Sequence, residues 1–281
     1  MNTTMLLLAW AAVAPAETTE TFSYDFRTGG TIPPVLNMFG RRFMKPETGG
    51  LRITLPAKRP NLAAVGVSPR FAVSGDFEIS VAFEILAVEQ PRKGYGSGVN
   101  IHLILDNPQA EAVTLLRGTR VKEGDVYLVN RARKRKDGRM QYRLKTFPSN
   151  ATSGRLSIRR VGSVIHYLAA DGVNGELMEI DQTDVGTEDL DVIRVAANTG
   201  ESPTALDVRL LDLQIVSERL PNIPSPRSAV GMMWLVGGGV GVCLTVLLGV
   251  VLYYRRQAAS RSAAPPKMAA TEQPRVAQHK S

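Results

Sequence analysis

Glu78 and Glu84 are the side chains best suited by type to acid–base chemistry. They lie on one face of a segment, residues 76–85, in which apolar and polar residues alternate. A retaining glycosidase needs two carboxyl groups about 5–5.5 Å apart. Six residues of extended strand separate these two by roughly 20 Å. The spacing therefore predicts solvent-facing carboxylates and makes glycoside hydrolysis the less favoured alternative.

A second alternating segment, residues 99–106, carries Asn100, His102 and Asp106 opposite a row of apolar side chains. Amide, imidazole and carboxylate groups along one face of a strand could hydrogen-bond a ligand. Together with Glu78 they are the candidate binding residues of a polar sheet face, chosen by alternation alone. The alternative for His102 is a strand residue that is hydrogen-bonded to its neighbours.

A third candidate is a basic hairpin centred on Asp137-Gly138, a dipeptide typical of tight turns. The basic residues before the turn are Arg133, Lys134, Arg135 and Lys136. Such a hairpin could bind an anionic polymer or lipid headgroups. The alternative is a solvated edge whose charges prevent aggregation.

Aromatic side chains that could stack on sugar rings are few. Trp10 and Trp234 both fall outside residues 17–226, so any platform there must come from tyrosine, phenylalanine or histidine. The candidate tyrosines are Tyr24, Tyr95, Tyr127, Tyr142 and Tyr167. This composition weakens a carbohydrate-binding prediction without excluding it.

The motifs predict no cofactor and no metal site. The acidic stretch 181–191 fits a calcium loop at Asp181, Thr183 and Gly186, but Val185 stands where an oxygen ligand is needed. We therefore expect a solvated loop. The glycine-rich residues 93–98 precede a strand rather than a helix, so they lack the helix N-terminus that binds phosphate.

Most of the chain from residue 17 to 226 alternates with the period of β-structure, and turn dipeptides separate the alternating segments. No amphipathic helix is evident. The pattern predicts an all-β, two-sheet jelly-roll sandwich spanning residues 17–220. The predicted strands are 51–55, 76–85, 99–106, 112–117, 126–131, 141–146, 155–161, 164–170, 177–181, 192–198 and 206–216.

The two ends of the chain predict export and a membrane anchor. Residues 1–16 have an apolar run and a small-residue cleavage site, typical of a signal peptide. Residues 230–254 carry no charge and, as a helix, would reach ~37 Å, enough to cross a bilayer. A Pro-rich stem, residues 221–229, precedes this helix, and a disordered basic tail, residues 255–281, follows it. The positive-inside rule places the tail in the cytoplasm and the sandwich outside a single-pass cell-membrane protein.

The C-terminal part of the sequence also bears on the partners of the protein. Gly237, Gly241, Thr245 and Gly249 recur every four residues, a pattern that favours a homodimer of membrane helices. The alternative is that glycine is simply common in such helices. Much of the net charge of +8 lies in the predicted tail, so the charge does not predict a nucleic-acid partner.

Several stretches resemble the concanavalin A-like lectin/glucanase superfamily, and in particular an uncharacterised bacterial domain family within it. They are residues 22–27 (FSYDFR), 49–56 (GGLRITLP), 74–81 (SGDFEISV) and 154–165 (GRLSIRRVGSVI), the last closed by Asp171-Gly172. The resemblance implies two curved antiparallel sheets and, in its lectins and glucanases, sugar binding on the concave face. These motifs are turns and core positions, so they specify the fold better than the function.

We therefore predict a membrane-anchored, extracytoplasmic binding or adhesion module that is not an enzyme and has a glycan or protein ligand. One alternative is an enzyme related to glycoside hydrolases. The other is a structural subunit of a membrane complex.

Overall fold

The computed structural model describes residues 19–223, which form fifteen β-strands and one short 3-10 turn at Arg41–Phe43. The strands are β1 Glu20–Asp25, β2 Leu36–Phe39, β3 Met44–Glu47, β4 Gly50–Leu55, β5 Val65–Pro69, β6 Ser74–Val88, β7 Ser97–Leu105, β8 Ala112–Arg120, β9 Gly124–Lys134, β10 Met140–Pro148, β11 Ser153–Val161, β12 Val164–Asp171, β13 Met178–Asp184, β14 Leu190–Asn198 and β15 Leu206–Arg219.

These strands form two antiparallel sheets, which confirms the predicted all-β sandwich. The eight-stranded sheet has the order β13-β12-β11-β6-β15-β4-β3, with β1 paired to β15. The seven-stranded sheet has the order β10-β9-β8-β7-β14-β5-β2. The chain changes sheets repeatedly, for example between β5 and β6, β6 and β7, and β14 and β15, which is consistent with a jelly roll.

The core lies between the sheets and follows the predicted alternation. On β6, Phe77, Ile79, Val81 and Phe83 are buried in one apolar cluster, together with Ile101 and its inward neighbours on β7. Because successive side chains of a strand point to opposite faces, this burial sends Asn100 and His102 to the outer face of the seven-stranded sheet. The core thereby fixes which residues are available to a ligand.

The sequence missed the short strands β1, β2, β3 and β5. A Pro in β3 and a Gly in β5 interrupt the alternating pattern by which a strand is recognised. Both strands form because they pair with their neighbours. The predicted strand 99–106 begins two residues after the start of β7 and ends one residue past its end, because β7 spans Ser97–Leu105. The acidic stretch 181–191 is not one solvated loop: Asp181 to Asp184 belong to β13, and β14 begins at Leu190.

The predicted signal peptide, membrane helix and tail lie outside the described residues, as does the stem from residue 224 onward. Within residues 19–223, no helix is long and apolar enough to cross a membrane.

Candidate functional site

A groove of about 1040 Å³ runs along the outer face of the seven-stranded sheet, across β10, β9, β8, β7 and β14. Several side chains of its floor are small: Ala112, Ala132 and Ala196 point into it from three of these strands. The loop residues 61–64 and Tyr95 form part of its wall. Small residues on a sheet face therefore leave space that larger side chains would fill.

Polar groups on this floor are not all satisfied within the protein. Asn100, which is only 6% exposed, and Asn130 both line the groove. Among the described residues, neither amide oxygen has a hydrogen-bond partner. A buried polar group without a partner costs roughly 1–3 kcal/mol. Both oxygens are shielded from solvent, so each could accept a hydrogen bond from a ligand hydroxyl only if its side chain rotates toward the groove.

His102 lies beside Asn100 on the groove floor and is hydrogen-bonded to a residue of β8. Its Nδ1 is 2.8 Å from the hydroxyl of Thr114, which also lines the groove. Burial lowers the pKa of His102, and the positive charge of Arg194 on β14 lowers it further. His102 is thus a neutral group at pH 7, suited to hydrogen bonding rather than to charge pairing.

The rim of the groove carries exposed aromatic and aliphatic side chains. Tyr142 is 65% exposed and Tyr95 is 47% exposed, and both line the groove. Met140 and Leu144, each 43% exposed, flank Tyr142 on the same face of the edge strand β10. Rings and thioethers displayed in this way offer flat apolar contact to a ligand.

The structure brings together only some of the predicted binding residues. Asn100 and His102 share the groove. Glu78 lies on the outward face of the other sheet, where its carboxylate accepts a 2.8 Å hydrogen bond from Ser157. Asp106 follows the end of β7 and lines a neighbouring cleft of about 1190 Å³ that shares Arg194 with the groove.

The structure also shows where Glu84 and the five candidate tyrosines lie. Glu84 lies on the same sheet as Glu78 and forms an ion pair with Arg209 at 2.6 Å. Of the five candidate tyrosines, Tyr127 and Tyr167 are buried in the core and Tyr24 donates a hydrogen bond to the Thr31 carbonyl. Tyr95 and Tyr142 remain as platforms.

The predicted basic hairpin is the β9–β10 pair, and its turn is built as expected around Asp137-Gly138. Gly138 has a φ of 81°, and Asp137 accepts a hydrogen bond from the Arg139 backbone at 3.0 Å. Arg133, Lys134, Arg135 and Lys136 are all exposed. Lys134 pairs with Met140 across the hairpin, so the basic turn adjoins one end of the groove.

Sequence reasoning named Tyr142 as a candidate platform but missed Thr114, Asn130, Arg194 and the two residues that flank Tyr142 on β10, Met140 and Leu144. All of them lie on strands that the alternating pattern had identified, so the pattern could have assigned each residue to a face of its strand. What the sequence could not supply was which strands are neighbours. Within residues 19–223, no group of three or more His, Cys, Asp or Glu side chains is arranged to hold a metal ion.

Comparison with known proteins identifies the family. A family model described as "Protein of unknown function (DUF1583) C domain" matches residues 7–232. The chain belongs to the DUF1583 C-domain family. A comparison with curated proteins finds no match to this DUF1583 chain.

Several solved structures are similar to this DUF1583 domain in fold. A chain from work on endo-acting O-glycanases of the human gut microbiota has a TM-score of 0.51 and 10% identity, over 69% of this chain and 98% of that one. The metal-free VIP36 exoplasmic/lumenal domain has a TM-score of 0.48 and 12% identity, over 72% and 98%. A legume lectin-like domain from Entamoeba histolytica has a TM-score of 0.47 and 12% identity, over 73% and 98%. The concanavalin A-like fold implied by the sequence is confirmed.

Proposed function

We propose that this protein is a non-catalytic carbohydrate-binding module whose ligand lies in the groove of the seven-stranded sheet. One observation carries the proposal: an open groove combines unpartnered floor amides, Asn100 and Asn130, with tyrosines on its rim. Binding sites for small ligands are concave, largely apolar and equipped with a few placed polar groups. The size of the groove, about 1040 Å³, suits a short run of sugar rings.

Each part of the groove has a distinct role in this proposal. The floor amides, His102 and Thr114 hydrogen-bond sugar hydroxyls, while Tyr142 stacks on the apolar face of a ring. The amide oxygens of Asn130 and Asn100 lack partners within residues 19–223, so a ligand hydroxyl toward which these side chains rotate would satisfy them. The alanines of the floor give the rings room to approach the strands.

The placement of carboxylates supports binding rather than hydrolysis. Both common glycosidase mechanisms use a pair of Asp or Glu residues flanking the bond that is cleaved. Among the groove-lining residues that the structure describes, Glu201 is the one carboxylate. Glu78 and Glu84 lie on the other sheet, engaged with Ser157 and Arg209. The endo-acting O-glycanases named for a structural neighbour remain a comparison of fold.

A matched pair of variants tests the site. Tyr142 and Met178 are comparably exposed, at 65% and 68%, and lie on the edge strands β10 and β13 of different sheets. The purified full-length chain in mild detergent is applied to a glycan array. Tyr142→Ser should weaken binding roughly ten- to thirtyfold, as truncation of a tyrosine anchor does, whereas Met178→Ser should not.

Other outcomes of this experiment are informative. Retention of full binding by Tyr142→Ser would place the ligand elsewhere. Absence of binding to any glycan would contradict the proposal and favour a protein ligand. Release of oligosaccharides from a bound polymer would contradict its non-catalytic part.

We also propose that the module is held outside the cell membrane by residues 230–254, with a cytoplasmic tail. The support is the uncharged segment followed by Arg255-Arg256. Protease treatment of intact cells should digest the sandwich and leave a tail tag protected. Crosslinking of full-length chains should show a dimer that Gly241→Leu weakens, if the Gly237–Gly249 face is the contact.

A further inference from the structure

The β9–β10 turn carries more positive charge than its surroundings neutralise. Arg131 and Lys145, deeper in the hairpin, form ion pairs with Glu111 and Asp181. The turn is different: Lys134, Arg135, Lys136 and Arg139 are exposed, and within residues 19–223 none of the four forms an ion pair. Asp137 is the single acid in the turn, and its carboxylate is engaged by the Arg139 backbone.

This charge is continuous with the groove. Lys134 is the cross-strand partner of Met140, and Tyr142 pairs with Ala132, which lies on the groove floor. Met140, Tyr142 and Leu144 alternate along β10 on one face, so they form a single apolar row leading from the groove to the turn. A chain of sugar rings lying along this row would have its end among the exposed cations.

We propose that the ligand is an anionic polysaccharide whose carboxylate or sulfate groups contact Lys134, Arg135 and Lys136 while its rings lie on the Tyr142 row. This inference rests on the proposed function, because it names the ligand class of the same groove. Within the groove, Arg194 supplies a further positive charge. Attraction between exposed charges is screened within ~8 Å at physiological salt, so the acid groups must approach the turn closely.

An anionic membrane surface is the competing class of partner for a basic hairpin with apolar neighbours. The position of the apolar row argues for a polymer. Met140, Tyr142 and Leu144 lie on the rim of the groove, where a polysaccharide can lie, whereas the residues beyond them in the turn, Arg135 to Arg139, are all charged or Gly. An inserting hairpin would instead carry its apolar residues at the tip.

The probes are pairs of polymers that differ in charge on one backbone. Polygalacturonate and its methyl ester test carboxylate, and dextran sulfate and dextran test sulfate. The full-length chain should bind the charged member of at least one pair at least tenfold more tightly, with affinity falling as salt rises from 0.05 to 0.5 M. The pair that responds identifies the source of the charge. Equal affinity for the charged and neutral members of both pairs overturns the proposal.

Two triple variants then locate the contact. Lys134→Ser, Arg135→Ser and Lys136→Ser together should weaken binding of the charged polymer roughly tenfold. The control removes the same charge from exposed positions outside the groove: Lys45→Ser, Lys122→Ser and Arg219→Ser. Equal losses in both variants would mean that net charge, not the turn, is responsible, and would overturn the assignment.

Two further results separate this inference from the proposed function. Neutral glycan binding that depends on Tyr142, with no preference for charge, would leave the carbohydrate-binding module standing and refute the anionic ligand. Turn-dependent binding to vesicles containing phosphatidylglycerol, without binding to any polymer, would refute both and assign the hairpin to a membrane surface.

Discussion

The ion pair between Arg131 and Glu111 should contribute measurably to the stability of the sandwich. Glu111 precedes β8 and its side chain is 6% exposed, while that of Arg131 on β9 is 20% exposed. Replacing Arg131 with Met would leave a buried carboxylate without its cation. Breaking a buried pair in this way costs roughly 3–5 kcal/mol. Since Arg131 keeps some contact with water, we expect about 3 kcal/mol.

Thermal and urea unfolding of the full-length chain, followed by circular dichroism, measures this loss. For a domain of about 200 residues, 3 kcal/mol corresponds to a fall of roughly 6–12 °C in Tm. The double variant Arg131→Met with Glu111→Leu should recover most of the stability, because an apolar pair of similar volume often replaces a buried ion pair without loss. The exposed pair Asp25–Arg27 is the control, with side chains 49% and 45% exposed.

Asp25→Asn should change the free energy of unfolding by no more than ~1 kcal/mol, as expected for a surface pair. The reasoning would be refuted if Arg131→Met cost no more than Asp25→Asn. It would also be refuted if the double variant were as unstable as Arg131→Met alone, because the loss would then come from packing of the Arg131 side chain rather than from an unpaired charge.

Two other predictions concern stability. A Cβ atom on Gly98 would lie 2.0 Å from the Arg117 carbonyl oxygen, so Gly98→Ala should cost roughly 1–3 kcal/mol, whereas Gly30→Ala, with 3.5 Å to its nearest neighbour, should cost little; urea unfolding compares them. The lowered pKa of His102 means that the folded state binds fewer protons than the unfolded state below the ordinary value of 6.5. The free energy of unfolding should therefore decline as pH falls below 6.5. His102→Gln should flatten the decline in Tm measured from pH 7.5 to 5; an unchanged slope would assign it to other groups.

Alternation was enough to predict the fold and the composition of the core, but not the binding face. The strand prediction succeeded where apolar and polar residues alternate over many positions, as on β6 and β7. It failed on β3 and β5, which are held by pairing rather than by their own pattern. Glu78 and Asn100 have equally polar surroundings in the sequence. Only the assignment of β6 and β7 to different sheets separates them, and that assignment depends on long-range pairing that no local pattern encodes.

The outer faces of the two sheets differ in the kind of polar group they carry. On the eight-stranded sheet, charged groups pair with one another: Arg155 forms two hydrogen bonds with Asp212, at 2.9 and 3.0 Å, and Arg209 contacts both Glu84 and Glu47. On the seven-stranded sheet, Asn130 presents an amide oxygen that has no partner within residues 19–223. The eight-stranded sheet also has buried polar atoms without a partner within residues 19–223, the Nε atoms of Arg159 and Arg209, so the two faces differ in the kind of group they carry: ion pairs on one, uncharged amides on the groove floor of the other.

This difference predicts opposite effects of two substitutions. Arg155→Ser should lower the free energy of unfolding by about 1–3 kcal/mol, because it leaves the half-buried Asp212 with fewer donors, and it should leave glycan affinity unchanged. Asn130→Ala should leave stability unchanged or slightly raised, since it removes an unpaired oxygen, but should weaken glycan binding. Urea unfolding and glycan affinity measured on both variants decide the matter. If Asn130→Ala proved destabilising with normal affinity, its amide would have a structural partner and the binding face would have to be sought elsewhere.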